Sequence, residues 1–281
     1  MKILVTGSSG NLGSEIVKQL LVADYEVVGI DLVPAETTHA TGDINDKTFL
    51  HNLLPDIDVI IHSAAIVTPV DSFTNEEFIS TNISGTCALL EAASKHNIRK
   101  FIFTSTTSLY GYAVNKAKKT LWVTEKIHAN IKDIYDVTKI SGENLCYLFS
   151  LQYSLNITVL RVSGFWNATP NLKLFYRLFR SVDVRDAAYA HVLAIDYRNT
   201  QFEIFNISSQ SPFQLFELSR IYNHADEVIE SKFPGTLDFF HSRGWELPNR
   251  IDRVYVIDKA KRKLNYKPRF NFQEYLKEVS R

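Results

Sequence analysis

The stretch Lys2-Ile-Leu-Val-Thr6-Gly7-Ser8-Ser9-Gly10-Asn11-Leu12-Gly13 decides the fold of this chain. Apolar and β-favouring residues run into a glycine cluster, and an amphipathic segment, Ser14 to Ala23, follows at once. That order predicts a strand, a tight turn and a helix. Such a junction favours a phosphate, because the first N–H groups of the helix and its positive dipole end face the turn. Gly7 permits the sharp turn, Gly10 lets backbone approach a pyrophosphate, and Gly13 lets helix and strand pack closely.

The spacing is Gly-x-x-Gly-x-x-Gly. A second strand, Glu26 to Ile30, ends in Asp31, about 20 positions on, where a carboxylate suits the two ribose hydroxyls of NAD. No Arg or Lys lies between residues 31 and 38 to hold a 2′-phosphate, which disfavours NADP. The other reading of Asp31 is an ordinary turn residue at a strand end.

The chain has 281 residues, room for one α/β domain with a small second lobe, and 45% hydrophobic residues to build its core. Its 31 basic and 31 acidic residues balance, which argues against a nucleic-acid or membrane-surface partner. Cys87 and Cys146 fall in predicted helices and read as core fillers. The eight histidines have no cysteines at ligand spacing, so no metal is expected. A strand beginning at residue 2 leaves no room for a signal peptide, and no apolar run is long enough to span a bilayer; the expectation is a cytoplasmic protein.

Strands and helices alternate through the first two thirds, predicting a doubly wound parallel sheet with helices on both faces. A helix is predicted from Lys47 to Leu54, preceded by Asp43, which is either an acceptor for an adenine amino group or a turn aspartate. The apolar strand Val59-Ile-Ile-His62 runs into Ser63-Ala64-Ala65, small residues past which a ligand can lie; His62 itself reads as a packed histidine. A long helix is predicted over 76–96, with Asn82 and Gly85 marking a packing or kink position. Strand Lys100 to Thr104 delivers the hydroxyl-rich run Ser105-Thr106-Thr107-Ser108. Residues 112–132 read as a loop near the site entrance. A helix opening near Asp133 carries Tyr135-Asp-Val-Thr-Lys139. Tyr and Lys at i, i+4 share a helix face. A nearby ammonium favours the phenolate, lowering the tyrosine from about 10 towards working pH and making it a usable acid–base.

Taken in order, these pieces resemble the extended short-chain dehydrogenase/reductases, and most closely the NAD-dependent epimerase/dehydratase family. Thr6-Gly7-x-x-Gly10-x-x-Gly13, Asp31, Gly42-Asp43-Ile44, His62-Ser-Ala-Ala65, Asn82-x-x-Gly85-Thr86, Ser105-Thr106-x-x-Leu109-Tyr110-Gly111, Tyr135-x-x-x-Lys139 and Leu160-Arg161 carry the likeness. Val182-Asp183-Val184-Arg185-Asp186, Phe205-Asn206-Ile207 and Lys263-Leu264-x-Tyr266-x-Pro268 extend it nearly to the end of the chain.

The resemblance implies a Rossmann domain over 1–165, completed by about 183–208, and a small C-terminal α/β substrate lobe from 166–182 and 209–281. It implies NAD held by Gly7, Ser9, Gly10, Asn11, Leu12, Gly13, Asp31, Asp43, Ile44, Ser63, Ala64, Ala65, Thr104, Tyr135, Lys139 and Val162. Tyr135 would move the substrate proton, Lys139 would hold the nicotinamide ribose and lower the tyrosine's pKa, and Thr106 would hydrogen-bond the reacting oxygen. Helices 76–96 and 133–153 would pair across a homodimer.

Two departures bear on the substrate. Thr107 and Ser108 stand where the family's dehydratases carry Asp-Glu, which argues against dehydration. Only about twenty residues separate Arg161 from Asp183, an interval far longer in nucleotide-sugar epimerases and similar in length to that of uronate dehydrogenases, which grip a carboxylate with an arginine. Thr106, Thr107, Arg161, Arg177, Arg180 and Arg250 are the substrate candidates. For Arg177 and Arg180 an ion pair is the competing reading; for Trp245 and Arg250 it is core packing and a surface pair. The expected function is a sugar or nucleotide-sugar epimerase, with two alternatives: a dehydrogenase or reductase of a free sugar acid, aldehyde or ketone, or a non-catalytic dinucleotide sensor. The sensor has no need of the Thr106, Tyr135 and Lys139 set.

Overall fold

A computed structural model of the protein describes residues 1–67, 70–96, 98–111, 119–165, 167–198 and 201–280. Seven strands form one sheet: β1 (Lys2–Thr6), β2 (Glu26–Asp31), β3 (Ala40–Thr41), β4 (Val59–His62), β5 (Lys100–Thr106), β7 (Ile157–Val162) and β8 (Phe202–Ile207). Their order is β3-β2-β1-β4-β5-β7-β8, and each pairing is parallel. All four residues of β4 and all six of β7 are buried, as strands covered on both faces must be. The order reverses between β1 and β4. Connections diverge there and open a crevice at the strands' C-terminal ends, where doubly wound folds bind ligands.

Helices cover both faces. Helix α1 (Asn11–Val22) and α7 (Val184–Ile195) pack on one side, where Ile16, Val17 and Leu20 meet Ala187, Ala190 and Ala194 in the same core. The alanines let the two helices approach closely. On the other face lie α2 (Lys47–Leu53), α4 (Thr86–Lys95) and α5 (Ile134–Tyr153), burying Leu50, Leu89, Leu90, Ala93, Cys146 and Phe149 against Ile60, Phe101 and Val159. Cys87 and Cys146 are unpaired.

The helix expected over 76–96 is three pieces: α3 (Asn75–Ile79), a π-helical turn over Ser80–Gly85, and α4. The disruption falls at Asn82 and Gly85, where the sequence breaks helical preference. The 112–132 stretch is not all loop. Residues 112–118 lie outside the described residues, but β6 (Leu121–Val123) pairs in parallel with β9 (Arg253–Tyr255).

A separate apolar core joins Leu174, Phe175 and Phe179, around α6 (Pro170–Arg177), to Phe213, Ile221, Val228, Phe240 and Phe272. Trp245 packs edge-on against Phe239 and Phe240 beside this core, so its packing reading is the correct one. No described helix is long and apolar enough to cross a membrane.

Candidate active site

The glycine turn is built as its spacing predicts. Gly7 has φ +73°, and a Cβ there would sit 2.7 Å from the Ala64 nitrogen. A Cβ on Gly13 would lie 2.0 Å from the Gly7 carbonyl oxygen. Both positions are closed to any side chain. Helices α2, α3, α5 and α7 carry Asp46, Thr74, Asp133 and Asp183 as side-chain caps. Helix α1 begins at Gly10 with no capping side chain and no acidic residue in its first turn. Its open amides and dipole therefore point at the crevice.

Asp31 sits beside this turn. One carboxylate oxygen accepts the Ser9 N–H at 3.0 Å and the other the Val33 N–H at 3.2 Å. Two bonds leave acceptor capacity on both oxygens, enough for a pair of ribose hydroxyls. A cradle that a Cβ would fill, an uncapped helix and a carboxylate with spare lone pairs fit a dinucleotide.

Other expected cofactor residues divide. Ser63 donates to the Thr6 carbonyl at 2.6 Å, with half-buried Ala64 and Ala65 following. Asp43 accepts from the Asn45 backbone and side chain through one oxygen, the turn-aspartate arrangement. Ile44 is buried, its side chain pressed against Gly85, and so belongs to the core. Thr104 is committed to His191. The His191 Nδ1 lies 2.8 Å from the Ala187 carbonyl and must donate there, so Nε2 accepts the Thr104 hydroxyl at 2.9 Å. Burial keeps this histidine neutral, with a pKa pushed down to about 4. Val162, also buried, ends β7.

The acid–base set comes together from two elements. Thr106 ends β5, while Tyr135 stands in the first turn of α5, and the Thr106 side chain lies close enough to the phenol to favour its ionised form. Lys139, one turn beyond Tyr135, is buried with its Nζ 4.4 Å from the centroid of the Phe103 ring. Burial brings its pKa down to about 8 against the opposing fields of Cys146 and Glu143. The expected fall in the tyrosine's pKa is not found in the protein by itself. Desolvation raises it, the nearby Thr106 hydroxyl opposes that, and the Asp136 and Asp133 carboxylates raise it further.

A cavity of about 410 Å³ connects the start of α1 with the segment after β7; Asn11, Phe165, Asn167, Lys173, Tyr176 and Arg177 are among its lining residues. Most of the substrate candidates are otherwise engaged. Arg161 is buried, paired with Glu143 at 2.6 Å and bonded to the Tyr110 hydroxyl at 2.7 Å. Arg177 binds Asp183 at 2.6 Å and the Phe270 carbonyl. Arg180 lies over the Tyr176 ring at 4.6 Å. Arg250 is exposed, hydrogen-bonded to Tyr222 and stacked on its ring, away from the cavity lining. Thr107 is buried, its carbonyl accepting from the Tyr255 hydroxyl.

Lys173 went unnoticed in the sequence. Its ammonium contacts Asn167 at 3.3 Å, and it forms no ion pair among the described residues. The carboxylate nearest in the lining, Asp183, is taken by Arg177 and Arg185. The basic, aromatic interval held the signal; its partners did not show.

Comparisons with known proteins agree with this fold. The chain is 26% identical over 320 residues to a UDP-glucose 4-epimerase of Lacticaseibacillus casei, covering 96% of this chain and 93% of that protein. A crystal structure of UDP-glucuronic acid 4-epimerase from Bacillus cereus, in complex with UDP-glucuronic acid and NAD, superposes with a TM-score of 0.70 at 25% identity, covering 99% of this chain and 100% of that one. A short-chain dehydrogenase/reductase superfamily protein from Agrobacterium tumefaciens with bound NAD gives 0.74 at 20% identity, covering 100% and 96%. With residues 3–167 matching the model of the NAD dependent epimerase/dehydratase family, more than half its length, the chain belongs to that family.

Proposed function

We propose that the protein is an NAD-dependent enzyme acting at an alcohol carbon of a sugar or nucleotide-sugar, with redox-neutral epimerisation as its reaction. The observation that carries this reading is the approach of Thr106, at the end of β5, to Tyr135 in the first turn of α5, with Lys139 one turn on, at the end of the sheet that also holds the glycine cradle. Gly7, Ser9, Gly10, Asn11, Leu12 and Gly13 would hold the pyrophosphate, Asp31 the adenosine ribose, and Ser63, Ala64 and Ala65 the passage between. NAD supplies the hydride chemistry when bound. Thr106 orients the substrate hydroxyl, and Tyr135 takes its proton and returns it. Burial keeps Tyr135 a neutral phenol at rest, so losing its proton needs a cation close by. On this reading Lys139, one turn on in α5 and protonated below about pH 8, would supply that cation and hold the nicotinamide ribose.

The Lys173 cavity favours a second reading, oxidation or reduction of a free sugar acid, aldehyde or ketone, because an ammonium without a carboxylate partner among the described residues suits an anionic substituent on a compact substrate. A homodimer would use the apolar stripe on α5, where Tyr147, Leu148 and Leu151 are exposed at helical spacing.

Assay of the purified protein separates the two reactions. An epimerase carries NAD through purification and converts sugar without net NADH; a dehydrogenase produces NADH with substrate. Tyr135→Phe is expected to lower turnover at least a hundredfold while NAD still binds. Unchanged turnover overturns the proposal.

A further inference from the structure

Buried His62 lies 2.7 Å from the Thr6 hydroxyl through Nδ1 and 2.9 Å from the Thr86 hydroxyl through Nε2. The directions of these bonds follow from their neighbours. Thr86 stands 2.7 Å from the Asn82 carbonyl, which can only accept, so the single Thr86 proton goes there. Nε2 must therefore carry the hydrogen and donate to Thr86. Burial and the nearby Lys139 charge hold the imidazole neutral, with a pKa pushed down to about 3, so Nδ1 accepts. Thr6 then donates to Nδ1 while its oxygen accepts the Ala64 N–H at 3.1 Å.

The path continues from Asn82. Its side chain accepts the Ile66 N–H at 2.8 Å and donates to the Ile66 carbonyl at 2.9 Å and the Thr138 hydroxyl at 3.0 Å. Thr138 donates to the carbonyl of Tyr135 at 2.8 Å. Each hydroxyl has one proton and one onward acceptor, so one run of bonds leads from the Ala64 amide to the Asn82 backbone carbonyl, and a second leads from the Asn82 side chain through Thr138 to the Tyr135 carbonyl. The π-helical turn over Ser80–Gly85 holds Asn82 and leads directly into Thr86, the first residue of α4.

We infer that His62 is a positioning residue that fixes the Ser63–Ala65 edge of the cofactor crevice relative to Tyr135. It acts as a neutral relay of fixed tautomer, joining β1 and β4 to the tyrosine helix. This inference rests on Tyr135 being the acid–base residue of the proposed function.

The test uses three variants of the full-length protein. His62→Leu removes the relay. His62→Gln keeps one acceptor and one donor at nearly the same separation. Thr86→Val leaves His62 but removes its acceptor. Turnover is counted per NAD-binding site, so loss of folded protein does not register. His62→Leu and Thr86→Val are expected to reduce turnover about tenfold and weaken NAD, the scale of one lost hydrogen bond, and His62→Gln to recover most of both. Nitrogen-15 NMR of labelled histidine is expected to show His62 as the Nε2–H tautomer. Wild-type turnover and NAD affinity in folded His62→Leu, or an Nδ1–H tautomer, overturn the inference. Loss of the Tyr135 reading would appear separately, as unchanged turnover in Tyr135→Phe.

Discussion

Arg161 and Glu143 form a two-pronged ion pair inside the protein, Nε to Oε1 at 2.9 Å and the second nitrogen to Oε2 at 2.6 Å. Ser105 donates to the same carboxylate at 2.5 Å, and the third guanidinium nitrogen reaches the Tyr110 hydroxyl, which passes its own proton to Asn206. The pair thus ties β5, β7 and β8 to the helix bearing Tyr135 and Lys139. Removing one partner leaves the other charge buried and alone, so Arg161→Ala is expected to cost about 3–5 kcal/mol of stability in urea unfolding. If Arg161 were a substrate residue instead, the variant would unfold like wild type and show only a raised KM.

That arginine also marks the boundary of what the sequence discloses. Gly7, Gly13 and Asp31 are legible because each is marked by its own short stretch: a glycine run between a strand and a helix, and an acidic residue at a strand end. Tyr135 and Lys139 are legible because four positions of helix set their spacing. Arg161 is not, since Glu143 comes from another element. Nor is the rise in the tyrosine's pKa, which desolvation by the assembled fold causes. In α6, Lys173 and Arg177 are two cations one turn apart, and only the placement of Asp183 decides which is engaged. Strand β6 is hidden in the sequence because its partner, β9, is near the far end of the chain.

Asp31 offers a direct test of the cofactor cradle. Asparagine there retains an oxygen for the Ser9 or Val33 amide but removes the charge that would receive ribose hydroxyls. Asp31→Asn is expected to weaken NAD by roughly 1.5–3 kcal/mol in a binding titration. An unaltered dissociation constant would mean that the ribose lies elsewhere.

A pH-dependent stability is built into Lys139. Its folded pKa of about 8 lies below its ordinary 10.5, so between these values the unfolded chain holds a proton that the folded protein has released. Stability from this group therefore rises with pH through that window, and below about pH 8 the buried ammonium costs about 3 kcal/mol. Lys139→Met lacks this term. The variant is expected to exceed wild type in urea resistance most at neutral pH, with the advantage shrinking by about 3 kcal/mol as pH approaches 10.5. A difference that stays constant across that range would show that Lys139 is not desolvated. Turnover should decline over the same interval if Lys139 is the cation that the proposed Tyr135 proton transfer uses.

The cavity makes its own demand on the substrate. Asp183 is surrounded by the guanidinium groups of Arg177 and Arg185, which overcome the upward push of burial and hold its pKa at about 2. It stays ionised and committed to them throughout the physiological range, leaving Lys173 to meet an anionic substituent. Lys173→Met preserves the aliphatic stem and removes the charge. Its expected effect is a rise in KM for a uronic acid or a nucleotide-sugar of about ten- to a hundredfold, the worth of one charge-assisted hydrogen bond, with kcat little changed. Neutral sugars should show no such rise. Comparing glucuronate with UDP-glucose in this variant tells which anion Lys173 serves, a sugar carboxylate or a diphosphate. Equal KM values for wild type and variant with both would remove Lys173 from the site.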